Sequence, residues 1–544
     1  MPRRIELPRG ELVIPSGTVA CTPDIILRIA ETVDDVAVIT TKSIGLEERE
    51  GYKEPIVAAL GGSMVNAVGL SNPGVASYTE EMSAVYPALR RAGKLLMTSL
   101  FGATGDEFAR LARAVEAHSD WIELNLSCPH AEGFGAAIGT SPEAVAEVVS
   151  AVREATDLPV FAKIVPSLGL SGTIARTAVG AGADGITAVN TVGPLVFRGR
   201  GGLPLLSNVA GGLSGPAIRD VALRCVREVR KAVDVPIIGM GGISTWEDVE
   251  AFRSAGATLF GIGTALSGMT TGGIARYLHS LASRAPDPMP AVPMEYLHAS
   301  VKEAWGHPSC RVLVLDRSMR AVPAQFVSVR LPEGEKPFSL ATDDPITLLV
   351  KATGKVSSAL AALGEGSELE LRGPYGNGYA PSGRVCLVGG GTGVAPVCFV
   401  ARRHRQSVDA IFIGGRRSED LPLYDELRSL APCRAATEDG SAGTCGLVTD
   451  VMDLEPHRGC EFFNCGPEIM LLKTAELERK FTDPSRIFCS VERYTKCGMG
   501  LCGSCAMDGY RTCIDGPVFA YSDLLAGRDF GRCKRAASGR RVSL

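Results

Sequence analysis

The sequence predicts an α/β protein: an N-terminal (β/α)8 TIM barrel, then an antiparallel β-barrel, an α/β domain and a small cysteine-rich C-terminal domain. Three observations support this prediction. Apolar β-type runs alternate with amphipathic helical stretches up to about residue 281, short β-rich runs follow at 310–372, and cysteines cluster at 497–513. These patterns are typical of a parallel barrel, an antiparallel barrel and a metal-binding loop.

The first half contains eight candidate strands with helical patterns between them. Eight βα units in about 270 residues fit a closed barrel better than an open sheet. The predicted strands are 12–15, 36–40, 95–99, 121–125, 160–164, 185–189, 237–240 and 259–262. The predicted helices include 106–118, 142–155, 216–233 and 245–255. A functional site is expected at the carboxyl ends of the strands, the face on which such barrels carry their chemistry.

Two glycine turns follow the last two predicted strands. Gly241 and Gly242 come after the seventh strand, and Gly263 and Thr264 after the eighth, each before a helical stretch. Exposed amides at a helix start bind phosphate, and barrels commonly hold phosphate after strands seven and eight. Together the two turns favour a phosphorylated cofactor such as FMN.

The C-terminal cysteines have the spacing C-x4-C-x2-C-x7-C, formed by Cys497, Cys502, Cys505 and Cys513. Four thiolates at this spacing are typical of a plant-type [2Fe-2S] cluster. Zinc is the alternative, but zinc ribbons usually pair two C-x2-C knuckles, and this motif has one. The spacing therefore predicts one-electron transfer.

Composition narrows the class of protein. The chain has 544 residues, 45% of them hydrophobic and 21% charged, with a formal net charge of −4. No apolar run reaches the ~18 residues of a membrane span, and the N-terminus lacks the apolar core of a secretory signal. Sixteen cysteines then indicate reduced thiols and metal ligands, so we expect a cytoplasmic protein. The mild charge predicts small-molecule partners, with no nucleic acid and no membrane.

The fourth predicted strand runs into the segment ELNLSCPH at 123–130. Here the sequence resembles class 1 dihydroorotate dehydrogenases, and the likeness extends over most of residues 10–270. Further matching motifs lie at 41–43, 66–74, 162–163, 190–191 and 211–217. The resemblance implies an FMN barrel that oxidises (S)-dihydroorotate to orotate in de novo pyrimidine (UMP) biosynthesis.

The resemblance also implies roles for residues at the barrel mouth. Cys128 corresponds to the catalytic base that removes the C5 proton, while the flavin takes the C6 hydride. The implied substrate residues are Lys42, Asn66, Gly69, Leu70, Asn125, His130, Asn190 and Thr191. The implied FMN residues are Ser16, Gly17, Lys42, Ser43, Asn125, Lys163, Gly215, Gly241, Gly242, Gly263 and Thr264. Amides offer donor and acceptor to the pyrimidine edge, and the two lysines offer positive charge to the reduced flavin.

Three alternative functions stay open on these residues. His130 stands where bacterial members of the family have Asn. Dihydropyrimidine dehydrogenase and archaeal-type members of the family both have His there, so an NAD(P)H-dependent uracil or thymine reductase is one alternative. A flavoenzyme like tRNA-dihydrouridine synthase is the second, although such a protein should carry a basic face or an RNA-binding domain. A non-catalytic electron carrier is the third, disfavoured because Cys128, Lys42 and Lys163 occur together.

The second half begins with a proline-rich linker predicted at 286–308, with a short helix around 296–304. β-rich runs then predict an antiparallel barrel at 309–380. Segments of this barrel resemble the flavin-binding strand and phosphate-binding helix start of the ferredoxin reductase superfamily, which implies FAD. The implied FAD residues are Lys336, Pro337, Phe338, Ser339, Gly354 and Ser357. The superfamily's arginine is Lys336 here, so the bidentate phosphate contact is absent.

A predicted buried strand then enters a glycine loop, a geometry in which backbone amides approach a dinucleotide pyrophosphate. This region, predicted at 381–486, resembles the nicotinamide domain of the same superfamily and implies NAD+. The implied residues are Gly389, Gly390, Gly391, Thr392, Gly393, Cys465 and Gly466. Arg416 and Arg417 follow the second strand, where they either contact a 2′-phosphate or are simply solvated, so the choice between NAD+ and NADP+ stays open.

The last region, a [2Fe-2S] domain predicted at 487–544, resembles the electron-transfer subunit of class 1B dihydroorotate dehydrogenase. Together the resemblances imply that this subunit is fused to a catalytic subunit at 1–285. They also imply electron flow from FMN through the cluster and FAD to NAD+. We further expect a homo-oligomer, namely a homodimer through the barrel.

Overall fold

The computed structural model describes residues 5–126, 136–199, 202–285 and 295–544. The chain forms two compact units. The first comprises Met1–Val292, Met499–Gly509 and Arg535–Arg541. The second comprises Pro293–Gly498, Tyr510–Lys534 and Val542–Leu544.

The N-terminal part of the first unit alternates strands and helices. Among its described residues the strands are Leu12–Ile14 (β1), Val36–Thr40 (β2), Glu48–Arg49 (β3), Val57–Leu60 (β4), Ser63–Asn66 (β5), Asn72–Pro73 (β6), Leu95–Leu100 (β7), Trp121–Asn125 (β8), Val160–Lys163 (β9), Gly185–Ala188 (β10), Val192–Val196 (β11), Ala210–Ser214 (β12), Ile237–Met240 (β13) and Leu259–Gly261 (β14). The helices are Pro23–Thr32 (α1), Val75–Arg91 (α2), Gly105–Val115 (α3), Ala136–Thr140 (α4), Pro142–Ala155 (α5), Ser171–Gly180 (α6), Arg219–Ala232 (α7), Trp246–Ala255 (α8) and Thr271–Ser283 (α9).

Eight of these strands close a parallel barrel in the order β1-β14-β13-β10-β9-β8-β7-β2. They are the eight predicted strands, so the predicted barrel is confirmed. Apolar side chains such as Val38, Met97 and Ile238 form a buried cluster in it. In the same cluster Trp121 stacks on Phe161 with ring centroids 4.9 Å apart. This packed interior leaves the strand ends as the place for a site.

Side chains cap several of the helix starts in the barrel. Thr104 accepts a hydrogen bond from the Glu107 amide before α3, and Thr245 and Asp248 form a reciprocal capping box at α8. Such caps satisfy backbone donors that have no partner within the helix. A small antiparallel sheet outside the barrel, in the order β11-β12-β5-β4, was not predicted from the sequence.

The second unit contains an antiparallel barrel and an open sheet. Its strands up to residue 490 are Leu297–His307 (β15), Cys310–Leu315 (β16), Phe326–Leu331 (β17), Gly334–Asp343 (β18), Ile346–Lys351 (β19), Glu368–Tyr375 (β20), Val385–Gly390 (β21), Val408–Gly415 (β22), Cys433–Thr437 (β23), Thr444–Cys445 (β24), Glu461–Cys465 (β25) and Ile487–Ser490 (β26). Its helices over the same range are Lys355–Ala361 (α10), Val394–Arg403 (α11), Tyr424–Leu430 (α12) and Glu468–Glu478 (α13).

The antiparallel barrel closes in the order β15-β16-β19-β18-β17-β20. The short helix predicted around 296–304 is wrong, because residues 297–304 belong to strand β15. The barrel therefore takes in much of the segment 286–308 that was predicted as a linker. Ala299 and Val301 alternate into the core, and pairing with β16 and β20 outweighs the helix propensity of the neighbouring Lys, Glu and Ala residues.

The C-terminal region adds short elements. Its strands are Ala506–Met507 (β27), Tyr510–Arg511 (β28), Val518–Ala520 (β29), Cys533–Arg535 (β30) and Arg541–Ser543 (β31), and its helices are Thr512–Asp515 (α14) and Tyr521–Ala526 (α15). The open sheet has the order β24-β23-β22-β21-β25-β26-β29.

The region predicted as a separate cluster domain, 487–544, is divided. Strands β26 and β29 complete the open sheet, while 499–509 and 535–541 belong to the first unit. In that unit the Val19 amide donates to the Leu501 carbonyl at 3.1 Å, and the Gly268 amide donates to Met499 at 2.9 Å. Among the helices that the structure describes, none has both the length and the apolar character needed to cross a membrane.

Candidate active site

A cavity of about 230 Å³ lies in the first unit where the barrel strands end. Because parallel strands bring their carboxyl ends to one face, residues far apart in sequence meet there. All the predicted FMN and substrate residues of the described barrel line it: Ser16, Gly17, Lys42, Ser43, Asn66, Gly69, Leu70, Asn125, Lys163, Asn190, Thr191, Gly215, Gly241, Gly242, Gly263 and Thr264. The remaining two, Cys128 and His130, lie outside the described residues.

A buried polar network lies beneath the cavity. Lys163, at the end of β9, pairs with Glu123 of β8, with 3.5 Å between Nζ and Oε1. The Ser99 hydroxyl donates to the same carboxylate oxygen at 2.9 Å, and Ser43 lies 2.9 Å from Ser99. The Asn125 amide donates to Ser43 at 3.0 Å. The network thus holds one ammonium and one amide at the cavity in defined orientations.

The other predicted asparagines are also held by hydrogen bonds. Asn190 donates from Nδ2 to Asn125 Oδ1 at 3.2 Å and accepts from the Thr191 amide at 2.8 Å. Asn66 donates to the Gly212 carbonyl at 3.2 Å. Primary amides fixed in this way present both donors and acceptors to a flat heterocycle.

Lys42 is held from a part of the chain that the barrel prediction did not include. Its ammonium donates to Ser71 Oγ at 3.3 Å, and Ser71 donates to the Ala537 carbonyl at 3.1 Å. Ser71 lies within the motif 66–74, but nothing in the sequence links that motif to residue 537. Leu501 and Cys502 also line the cavity, so a predicted cluster ligand borders the predicted flavin site.

Glycines at the cavity allow a close backbone approach. Gly242 has a φ of +85°, and a Cβ added there would lie 2.8 Å from the Gly215 carbonyl oxygen. A side chain would therefore close the gap between these two loops. Ammonium groups, hydroxyls and unobstructed backbone form a donor set that fits the charge and shape of FMN.

The predicted FAD residues lie on β18 and at the start of α10 in the second unit. Lys336 lies with its ammonium 4.9 Å from the centre of the Tyr494 ring. The Ser357 hydroxyl accepts from the Thr353 and Gly354 amides at 3.0 and 2.9 Å. This hydroxyl therefore caps the start of α10.

A buried ion pair next to these residues was not predicted. Arg372 of β20 donates from Nε to Glu335 Oε1 at 3.1 Å, and both side chains are almost fully buried. Tyr296 donates to the same carboxylate at 2.5 Å. A charge pair buried in this way is costly to break, because either partner alone would remain uncompensated.

The predicted NAD+ residues converge at the carboxyl ends of β21 and β25. Gly389 pairs with Cys465 in the parallel ladder, and a Cβ on Gly393 would overlap the Cys465 carbonyl. Strands β22 and β23 lie on one side of β21, and β25 and β26 on the other. Nucleotides bind at such points of reversal in parallel sheets. Burial raises the pKa of the Cys465 thiol to about 12, so it stays neutral.

The four predicted cluster cysteines are all buried, with exposed fractions of 1% for Cys497, 4% for Cys502, 2% for Cys505 and 1% for Cys513. Burial suits thiolate ligands whose negative charge is neutralised by iron.

Arg416 and Arg417 follow β22 directly and are exposed. This is the position at which the sequence places a possible contact with a 2′-phosphate.

Comparison with known proteins agrees with this arrangement. Residues 11–279 match the family dihydroorotate dehydrogenase, and residues 492–525 match the iron-sulfur cluster binding domain of dihydroorotate dehydrogenase B. The dihydroorotate dehydrogenase B (NAD(+)) catalytic subunit of Pyrococcus abyssi is 41% identical over 277 residues, covering 50% of this chain and 90% of that protein.

Two further relatives give the same result. The catalytic subunits of Pyrococcus horikoshii and Methanocaldococcus jannaschii are 42% and 40% identical over 255 and 256 residues. Each match covers 47% of this chain and 82% or 83% of the relative. The chain thus belongs to the dihydroorotate dehydrogenase B family, with its catalytic and iron-sulfur binding parts in one polypeptide.

Proposed function

We propose that this single chain provides the whole path from dihydroorotate to a nicotinamide nucleotide. The chain is a dihydroorotate dehydrogenase that oxidises dihydroorotate to orotate in pyrimidine biosynthesis. When bound, FMN, the [2Fe-2S] cluster and FAD would supply one redox path from dihydroorotate to NAD+. The observation that carries the proposal is the position of Cys502, which lines the same cavity as Lys163 and Asn125.

Within the barrel we assign each side chain a task. Asn66, Asn125 and Asn190 orient the pyrimidine through their amides. Lys163, held by Glu123 beneath the cavity, stabilises the negative charge that reduction places on the flavin. Cys128 removes the C5 proton as the hydride leaves C6, so that the two are lost from opposite faces of the ring.

For the second unit we assign FAD to the antiparallel barrel and the nicotinamide nucleotide to the carboxyl edge of the open sheet. Lys336, Pro337, Phe338 and Ser339 form one partly exposed stretch of β18, which is available to a flavin. The loop 389–393 faces the turn after β25, where parallel sheets bind nucleotides.

Purified protein should contain FMN and FAD in equal amounts, with iron and acid-labile sulfide in the ratio of a [2Fe-2S] cluster. FAD absence would contradict this assignment.

Gly393→Ala is expected to impair the nicotinamide reaction without affecting the barrel. The added Cβ would overlap the Cys465 carbonyl, and overpacking of this kind costs about 1–3 kcal/mol. NADH-dependent dye reduction should therefore fall by about tenfold or more, while dihydroorotate-dependent dye reduction is unchanged. Gly383→Ala is the matched control, since nothing lies within 4 Å of a Cβ at Gly383. Equal activity of the two variants would contradict the assignment.

The substitution His130→Asn tests whether dihydroorotate or another pyrimidine is the substrate. If His130 only contacts the pyrimidine, dihydroorotate oxidation should persist within about tenfold, since an amide donates and accepts as a neutral imidazole does. Initial rates with dihydroorotate and with uracil across pH measure the effect. A wild-type preference for uracil would favour the pyrimidine reductase instead, and a large shift of the pH profile would show that His130 tunes the pKa of Cys128.

A homodimer through the barrel stays a prediction, which light scattering would test.

A further inference from the structure

A second group of side chains that could hold a metal ion lies at the amino ends of strands of the open sheet. The predicted NAD+ residues lie at the opposite, carboxyl ends. Cys386 is the second residue of β21, Asp409 is the second residue of β22, and Cys460 directly precedes β25. His457 ends a short turn three residues before Cys460. Because β22, β21 and β25 are adjacent and parallel, their amino ends meet here.

The four side chains are close enough to share one ion. One ligand atom from each, the two thiol sulfurs, an imidazole nitrogen and a carboxylate oxygen, lies within 4.8 Å of all the others. In a tetrahedral zinc site with usual bond lengths, ligand atoms lie about 3.3–3.8 Å apart. Only small side-chain movements separate the observed positions from that geometry.

The ligand types and their spacing select zinc. Two thiolates and an imidazole suit zinc, whereas magnesium and calcium require sites made of oxygen ligands. His457 and Cys460 form a His-x2-Cys knuckle, closed by a hydrogen bond of 3.0 Å from the Cys460 amide to the His457 carbonyl. Tight knuckles of this kind present two ligands from a single turn.

Existing hydrogen bonds already orient the ligands toward one another. His457 Nδ1 lies 2.5 Å from Asp409 Oδ2, and the Cys460 thiol donates to the same oxygen at 3.6 Å. The two cysteines are 0% and 2% exposed. The His457 and Asp409 side chains are 16% and 20% exposed. The site is therefore largely closed, as structural zinc sites are.

Charge also balances at this position. Arg384 donates from Nη2 to both carboxylate oxygens of Asp409, at 2.6 Å each, and one of them, Oδ2, is also the oxygen that faces His457. A divalent cation together with Arg384 would be neutralised by two thiolates and one carboxylate. Arg384 is therefore a positioning residue, because it orients the Asp409 carboxylate without binding the ion. Mutation of such a residue typically lowers metal affinity by about 10–100-fold.

We propose that Cys386, Asp409, His457 and Cys460 bind one structural Zn²⁺ that ties together the amino ends of three strands of the open sheet. Binding releases the proton of each thiol to solvent, and no electron is transferred. The strands that it joins, β21 and β25, carry Gly389 and Cys465 at their other ends. The ion thus stabilises the scaffold of the proposed nucleotide site and lies apart from the predicted cluster cysteines in the sequence.

Metal analysis of the full chain, produced with its flavins and cluster in zinc-supplemented medium, tests the proposal. Zinc should be present at about one equivalent per chain in addition to iron, as expected for a closed four-ligand site. His457→Gln and Cys460→Ser should each lower zinc by about tenfold or more at unchanged iron and FMN. Cys398→Ser is the matched control, because Cys398 is a buried cysteine 3.6 Å from the Glu426 carboxylate but outside the group.

X-ray absorption at the zinc edge of the wild-type protein tests the four proposed ligands directly, whether or not the variants fold. The expected shell has two sulfur and two nitrogen or oxygen ligands, at about 2.3 and 2.0 Å. Zinc below a tenth of an equivalent would overturn the proposal, as would a shell of sulfur alone, which would place zinc in the motif 497–513. A disulfide between Cys386 and Cys460, detected by mass spectrometry without reductant, would also overturn it.

Discussion

Cys128→Ser is expected to lower dihydroorotate oxidation at neutral pH by about 10²–10⁴-fold, the usual contribution of a general base. A thiol with an ordinary pKa near 8.5 provides some thiolate at neutral pH, whereas a serine hydroxyl provides almost no alkoxide. FMN, FAD and iron contents should be unchanged, because the substitution removes a proton acceptor and no proposed cofactor contact. The deficit should become smaller as the pH rises.

Initial rates with dihydroorotate across pH measure this effect. Cys225→Ser is the matched control, since it makes the same substitution at a buried position on α7, outside the residues that line the cavity. Its rate should stay close to that of the wild type. Wild-type turnover by Cys128→Ser at neutral pH, with cofactors intact, would remove Cys128 from the role of base.

Cys505→Ser is expected to abolish dihydroorotate-dependent NAD+ reduction while two partial reactions survive. A serine oxygen matches iron less well than a thiolate does, so the cluster should be lost or displaced. Dihydroorotate should still reduce a dye through the FMN barrel, and NADH should still reduce a dye through the FAD barrel. Cluster absorbance and the three rates together measure the result.

This contrast separates an electron-transfer cluster from a structural metal. If the motif held a structural zinc ion, the substitution would unfold the region around it and take the NADH-dependent activity with it. Cys533→Ser is the matched control, because Cys533 is a half-buried cysteine of the same C-terminal region outside the motif. Full coupled turnover by Cys505→Ser would contradict the proposed path.

The barrel strands were predictable because each βα unit repeats the same local pattern. A mainly apolar run such as 36–40 is buried on both sides, so it can be recognised as a strand without knowledge of its neighbours. The eight predicted strands also identify the residues at the carboxyl ends of the strands, and these residues meet in the cavity. The segment 127–135, which contains the proposed base Cys128, lies outside the described residues, so the assignment of Cys128 is based on the sequence motif and the family.

Features made by distant pairing were not predictable. Strand β15 contains Lys302 and Glu303, which favour a helix locally, but its partners in the barrel decide its conformation. Arg535 is buried between Asp24 at 3.1 Å and Glu81 at 2.8 Å, a pairing with no local sequence signal. The cysteine spacing likewise predicted ligands, but not that Cys502 lines the flavin cavity. Each of these depends on contacts beyond the local sequence, such as Leu297 with Leu371 in the antiparallel barrel and Arg535 with Asp24, which are 511 positions apart.

The central claim is that one chain couples dihydroorotate oxidation to nicotinamide reduction. Its most direct test is an anaerobic reaction of the purified chain with dihydroorotate and NAD+ or NADP+, following orotate and reduced nucleotide together. Orotate and reduced nucleotide should form in equal amounts at a steady rate, with no added electron carrier. Reduction of the flavin by dihydroorotate without formation of reduced nucleotide, from either NAD+ or NADP+, would contradict it.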